Sequence, residues 1–318
     1  MNAIKMLMHT YKLFSKQFFK SVITRSLWKR CKLSNTWRKI TDECYKPKSN
    51  VLPKIMVIVI GAVLIVTVLY FAGYLPLPHF NSSNTGQSNF TAPTSIPWGS
   101  FTEISNKNFA GSGQENIYFI SWVGCPIGAS VSWSLNYALS QNVNNTYATP
   151  HYSDPTEGKL ASLPGLLFSD SFTFKHNGEK VLFDPVYMYN ETLFGYANNN
   201  TPIESSNLVS AGLSVVNSSS PSIPTGILNL IYKYTNVVKI NNMPKNVPSA
   251  YLGDPPHMNT VLVITGAFGT YMLNGQIYDP LNIKGIQYQD LINAESNGYA
   301  SYSYIAQGAN TMLSIINK

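Results

Sequence analysis

Cysteine is scarce. Three cysteines in 318 residues exclude a disulfide-stapled scaffold and a Cys-rich zinc module. Charge is scarce too: 12% of residues are charged, against 44% hydrophobic and 13% aromatic. Apolar content at that level excludes a chain disordered throughout, and the length suits one or two domains. Arginine stops early, since Arg25, Arg30 and Arg38 are the only three. There is no internal repeat, no Gly-x-Ser-x-Gly elbow, no phosphate loop and no dinucleotide fingerprint. Thr265-Gly266-Ala267-Phe268-Gly269 is glycine-containing but precedes a strand rather than a helix. Acidic residues are too scattered to nominate a carboxylate pair, and no cofactor is expected.

What charge there is divides sharply. Residues 1–54 carry 13 Lys/Arg against Asp42 and Glu43, a net of +11, and the remainder carries nine Lys against 13 acids, a net of −4. The basic excess is a tail, so no nucleic-acid partner is inferred from it. Directly after it, Ile55 to Leu75 runs 21 residues without a charge. As a helix this run is about 30 Å long, the thickness of a bilayer's hydrocarbon core. A buried core helix would show a polar face. A cleaved signal peptide would be shorter, nearer the N-terminus and followed by a small-x-small site. The run reads as an uncleaved anchor. Lys46, Lys48 and Lys54 flank it on one side, and no Lys or Arg follows until Lys107. The positive-inside rule therefore places residues 1–54 in the cytoplasm and residues 76–318 outside a single-pass cell-membrane protein. Within the tail, Ile4, Leu7, Met8, Tyr11, Phe14, Phe18 and Val22 share one helical stripe opposite Lys5, Lys12, Lys16 and Lys20. This suits an amphipathic helix on anionic membrane lipid; a tail that only sets topology is the plainer alternative.

Residues 76–100 hold Pro76, Pro78, Pro93 and Pro97 among Asn, Ser, Thr and Gly, the composition of a stalk. Residues 101–318 read as one domain. Six Asn-x-Ser/Thr sequons, at Asn81, Asn89, Asn144, Asn190, Asn199 and Asn217, are glycosylation candidates that fit export, though this Asn-, Ser- and Thr-rich composition yields about as many by chance. A surface built on Tyr, Asn, Ser and Thr in place of charge depends little on titrating groups, which would suit an acidic exterior.

Periodicity predicts a buried strand over Asn116 to Val123 and a helix over Ala129 to Ser140 with Val131, Leu135, Ala138 and Leu139 inward. Leu166–Phe174 and Val181–Tyr189 read as β-rich runs joined by an Asn177-Gly178 hairpin. Ile227–Ile240 is ambiguous. Thr260–Ile264, Tyr271–Leu273 and Gln276–Tyr278 read as strands, with Asn274-Gly275 as a second tight turn. A helix from about Tyr302 to Ile316, striped by Ile305, Ala309, Met312 and Ile316, closes the chain. Together these predict an α/β sandwich.

One motif carries chemistry. Gly124-Cys125-Pro126-Ile127-Gly128-Ala129 lies between the first strand and its helix. A cysteine at a helix N-terminus meets unpaired N–H groups and the helix dipole, which favour thiolate. Pro126 suits the first helical turn because it lacks an N–H. A metal site joining Cys125 to His151, His176 or His257 has no ligand spacing behind it, and none is expected. His257, after Asp254-Pro255-Pro256, reads as an exposed loop histidine. Cys31 and Cys44 face the reducing cytoplasm.

Tyr118-Phe119-Ile120-Ser121-Trp122-Val123-Gly124-Cys125-Pro126 resembles the strand-to-active-site passage of the thioredoxin superfamily. It is most similar to an archaeal membrane-anchored thioredoxin-like family, domain of unknown function 929. Trp133, Leu163-Pro164-Gly165-Leu166-Leu167-Phe168, the Tyr271 to Pro280 passage and Ala309-Asn310 match further parts of that pattern. The resemblance spans about residues 115–318 discontinuously, and it implies a thioredoxin-like sandwich with insertions. Two departures stand out. Gly128 occupies the resolving-cysteine position, so no dithiol cycle can run within the chain. Thr270 aligns where the superfamily carries a proline beside the active cysteine.

Cys125 then has three readings: a partly buried residue left from a redox ancestor, a functional monothiol, or an intermolecular disulfide. The resemblance implies a groove for extended polypeptide bordered by Trp122, Pro126, Ile127 and Thr270. The expected function is an extracytoplasmic, non-catalytic module that binds another extracytoplasmic polypeptide. The alternative is a monothiol oxidoreductase or peroxidase with Cys125 as its catalytic nucleophile.

Overall fold

A computed structural model describes residues 90–318 other than residue 220. The basic tail, the apolar run Ile55–Leu75, most of the proposed stalk, Cys31, Cys44, Asn81 and Asn89 lie outside the described residues. Among the described residues no helix is long and apolar enough to cross a membrane.

β1 (Ser95–Ile96) and β2 (Thr102–Ser105) lead into β3 (Gln114–Ser121). The anticipated helix follows as α1 (Pro126–Ser140). Then come β4 (Ala148–Tyr152), β5 (Pro164–Phe168), β6 (Phe172–His176) and β7 (Glu179–Tyr187). After α2 (Leu208–Asn217) and α3 (Thr225–Tyr232) the chain forms β8 (Lys239–Ile240), β9 (Val261–Gly266) and β10 (Gly269–Asn274). α4 (Tyr288–Glu295) and α5 (Ser303–Ile316) complete it.

Six strands form one mixed sheet in the order β2-β10-β9-β3-β7-β6. β3 runs parallel to β7 and antiparallel to β9, and the remaining pairs are antiparallel. β3 is central and covered on both sides, which is why its run Ile117–Ile120 does not alternate with polar residues. Ile117 and Phe119 meet Val131, Leu135, Ala138 and Leu139 of α1 and Ala309, Met312 and Ile316 of α5. Tyr118 and Ile120 meet Leu208 and Ala211 of α2 and Ile227 and Ile231 of α3. The α/β expectation holds: a mixed sheet carries helices on both faces.

Several expectations need correction. Leu166–Phe174 is not one strand. Ser169–Ser171 interrupt it, β5 pairs with β4 in a separate two-stranded sheet, and only β6 joins β7 through Asn177 and Gly178. β9 and β10 form a hairpin around Ala267 and Phe268, with Gly266 opposite Gly269. Gln276–Tyr278 is therefore not a strand. Gly275, at φ +93°, serves another purpose: a Cβ there would lie 2.3 Å from the Trp98 ring. Residues 95–100 belong to the domain rather than to the stalk, because β1 pairs with β8 and Ile96 is buried in the core. The ambiguous Ile227–Ile240 resolves into α3, a π-helical turn over Lys233–Val237, and β8.

Candidate functional site

The end of β3 and the start of α1 meet at Trp122–Ile127. Cys125 is the N-cap of α1, with extended backbone, and Pro126 takes the first helical position. The thiol stands where a Ser or Asp hydroxyl or carboxylate usually stands: Gly128 N donates to Cys125 Sγ at 3.2 Å. Thr260 Oγ1 lies 3.1 Å from the same sulfur and shares a 2.9 Å hydrogen bond with Ser121 Oγ. Cys125 is 3% exposed. Burial pushes its pKa up, and the hydrogen bonds from Thr260, Gly128, Ser121 and Ile127 only partly oppose that. The space beside Ser121, Gly128 and Ala129 is about 10 Å³, about enough for one water.

Of the residues expected to line a groove, Trp122, Pro126 and Ile127 do gather here, but Trp122 and Pro126 are buried and Ile127 is half-buried. Thr270 does not gather with them. It pairs with Thr265, which faces Asn116 near the start of β3, and its hydroxyl donates to the Lys107 carbonyl at 2.8 Å. Thr260, one residue before β9, holds the place beside the thiol. The shift follows from the misplaced hairpin, since an alignment built on Asn274-Gly275 moves the strand pair one strand along the chain.

His257 is in a loop as expected, but it is not an exposed histidine. Its ring packs edge-to-face on Trp122 with centroids 6.1 Å apart, Nδ1 lies 2.8 Å from the Pro255 carbonyl, and burial pushes its pKa down. His176 bridges Asn142 and Asn317. Neither histidine reaches Cys125, and among the described residues no three His, Cys, Asp or Glu side chains are grouped to hold a metal. Asn144, Asn199 and Asn217 are exposed. The Asn190 amide instead donates to Asn200 and accepts from Gly195 N.

The sequence reading missed an open surface cavity of about 520 Å³ lined by His151, Tyr152, Ser153, Pro155, Ser162 and Glu191. His151 Nε2 lies 2.7 Å from Glu191 Oε2, the only contact between a basic side chain and a carboxylate among the described residues. Its two walls rest on the residue before the cysteine. Asp154 N donates to the Gly124 carbonyl at 2.9 Å, and a Cβ on Gly124 would lie 1.9 Å from the Glu191 carbonyl. The cavity thus sits at the carboxyl ends of the parallel strands β3 and β7, where ligands collect in open α/β sheets. No local signal announces it, because His151 and Glu191 are far apart in sequence and each stands alone.

Trp133, noted in sequence, is buried and its Nε1 donates to the Pro164 carbonyl at 2.9 Å, tying β5 to α1. Gly165 completes that contact, since a Cβ there would meet Ala129 Cα at 2.6 Å. No curated protein and no solved structure matches the chain. Residues 100–318 match the family described as a domain of unknown function, DUF929, and the chain belongs to that family.

Proposed function

We propose that this protein is a membrane-anchored, extracytoplasmic module of thioredoxin-like fold that binds a polypeptide partner and performs no thiol chemistry. The fold assignment draws support from the connectivity: a strand, a helix with cysteine at its start, a parallel strand, an antiparallel hairpin on the other side, and a closing helix beside the first. The anchor and orientation rest on the uncharged run Ile55–Leu75 and its basic flank.

The observation that carries the reading is the enclosure of Cys125. A nucleophilic cysteine needs an exposed thiolate, whereas this thiol is covered and its pKa is raised by burial. A monothiol oxidoreductase or peroxidase would need the opposite on both counts. The surface left for binding is the cavity beside Gly124.

The test uses intact cells making the full chain. A membrane-impermeant, mass-shifting maleimide should leave Cys125 unlabelled until the outer domain is denatured with the membrane sealed, and then label it. Rapid labelling of the native protein overturns the closed thiol. No labelling after denaturation overturns the topology. In parallel, a photo-crosslinking residue at Ser162 should give a discrete polypeptide adduct, equally in the Cys125→Ser variant. Its absence in both overturns the binding reading.

A further inference from the structure

We infer that the cavity beside Gly124 receives a lysine side chain of the polypeptide partner, an inference that rests on the polypeptide-binding reading above. The cavity presents one carboxylate with a free oxygen and an aromatic wall, and a buried hydroxyl without a partner lies behind that wall, outside the cavity lining. Glu191 supplies the carboxylate, with Oε2 taken by His151 at 2.7 Å. Tyr152, 41% exposed, supplies the aromatic wall and packs at a tilt against Tyr288 with centroids 4.3 Å apart. The Tyr288 hydroxyl is buried and has no hydrogen-bond partner.

The local field is negative. The Tyr288 pKa is pushed up by burial, then by Tyr152 and Glu191. Next to the cavity, Glu157 is pushed up by burial and by Asp154. Lys159 and Lys284 are the nearby cations; neither lines the cavity, and the Lys284 ammonium donates to the Lys159 carbonyl. An anion is repelled here, and a wholly neutral group would desolvate the second Glu191 oxygen without giving it a partner.

A primary ammonium fits both lining features. It pairs with the free oxygen of Glu191. It also lies against the π-face of Tyr152, with its aliphatic stem along Tyr152 and Pro155. A guanidinium fits less well, because its bidentate fork needs both carboxylate oxygens and His151 holds one. Beyond the basic tail, the chain's nine Lys against 13 acids complement a basic partner.

The experiment uses the full chain in detergent micelles with ¹³C-labelled tyrosine. The probe is the capped tripeptide Gly-Lys-Gly, compared with its norleucine and arginine counterparts and with n-butylamine. The lysine peptide should shift the Tyr152 ring resonance saturably, and Glu191→Gln should weaken that binding roughly three- to tenfold. Glu191→Gln keeps an acceptor for His151, and an unchanged melting temperature confirms its fold. The inference is overturned if the norleucine or arginine peptide binds as well as the lysine peptide, or if no probe shifts the ring. It is equally overturned if Glu191→Gln changes nothing. Butylamine binding as tightly as the peptide assigns the cavity to free amines and overturns the polypeptide source. Failure here leaves the Ser162 adduct in place; loss of that adduct sinks the broader reading.

Discussion

Gly128 lies against Ser121 so closely that a Cβ on Gly128 would stand 2.2 Å from Ser121 Oγ and 3.3 Å from Ser121 Cβ. By the thioredoxin resemblance, this is the position of the resolving cysteine. The Ser121 hydroxyl occupies the volume such a side chain would need, and it is held there by Thr260 at 2.9 Å. Gly128→Cys should therefore destabilise the domain by about 1–3 kcal/mol through overpacking. Adding Ser121→Ala should recover part of that loss. Urea unfolding of the two variants checks this, and a fully stable Gly128→Cys single variant would contradict the packing.

The Cys125 thiol caps α1, so its replacements should rank by capping ability. Cys125→Ser keeps an acceptor for Gly128 N and a partner for Thr260. Cys125→Ala leaves the Gly128 N–H unmatched and leaves the Thr260 hydroxyl with Ser121 alone. The alanine variant should be less stable than the serine variant by about 1 kcal/mol. Parallel thermal melts decide it; equal midpoints would mean that the sulfur contributes packing alone.

Elements whose register the core dictates were legible in sequence. β3 announces itself by the run Ile117–Ile120, α1 by the stripe Val131, Leu135, Ala138 and Leu139, and α5 by the stripe Ile305, Ala309, Met312 and Ile316. The failures share a cause, which is that a local signal was used for something non-local. Asn274-Gly275 looks like a hairpin turn, but Asn274 ends β10 and Gly275 follows it where Trp98 packs. That single misreading moved the expected neighbour of Cys125 from Thr260 to Thr270. Helix N-termini favour thiolates, yet burial outweighs that preference at Cys125 because the loops around 153–154 and 190–191 close over Gly124. The cavity those loops form pairs a strand residue with a loop residue, and no periodicity encodes that.

α1 and α5 cross where both are small. Ser134 Oγ donates to the Ile305 carbonyl at 2.9 Å, and a Cβ on Gly308 would lie 2.4 Å from that oxygen. Helix propensity favours alanine over glycine by about 1 kcal/mol, so an exposed site would gain from the change. Here Gly308→Ala should instead lose about 1–2 kcal/mol, because the clash outweighs the propensity. In a Ser134→Ala background the loss should shrink. A double-mutant cycle measures the coupling, and strict additivity would show that the helices do not meet through this pair.

Stability should rise as pH falls through the neutral range. Glu115 is buried at the start of β3 and its Oε2 has no hydrogen-bond partner. Burial, and then Glu179, push its pKa up from 4.5 to about 7. A carboxyl whose folded pKa is raised holds its proton more tightly when folded. Its contribution is fully present below pH 4.5 and is lost as pH rises through about 7, by linkage. After allowance for solvent screening the loss is about 1–2 kcal/mol. Asp184 acts in the same direction: burial raises its pKa against the opposing Ser171 hydrogen bond, and its Oδ2 is unpartnered. Among the described residues a carboxylate meets a basic side chain only at Glu191 and His151, so little is lost in return when carboxylates protonate. Urea midpoints measured from pH 4 to 8 should decline with rising pH in the wild type. In Glu115→Gln the slope should flatten between about pH 4.5 and 7, because the amide cannot ionise. A midpoint that climbs toward pH 8, or a slope unchanged by Glu115→Gln, would show that this carboxyl is solvated or paired in the folded protein. Such a result would also remove the physical basis for reading the charge-poor surface as suited to an acidic exterior.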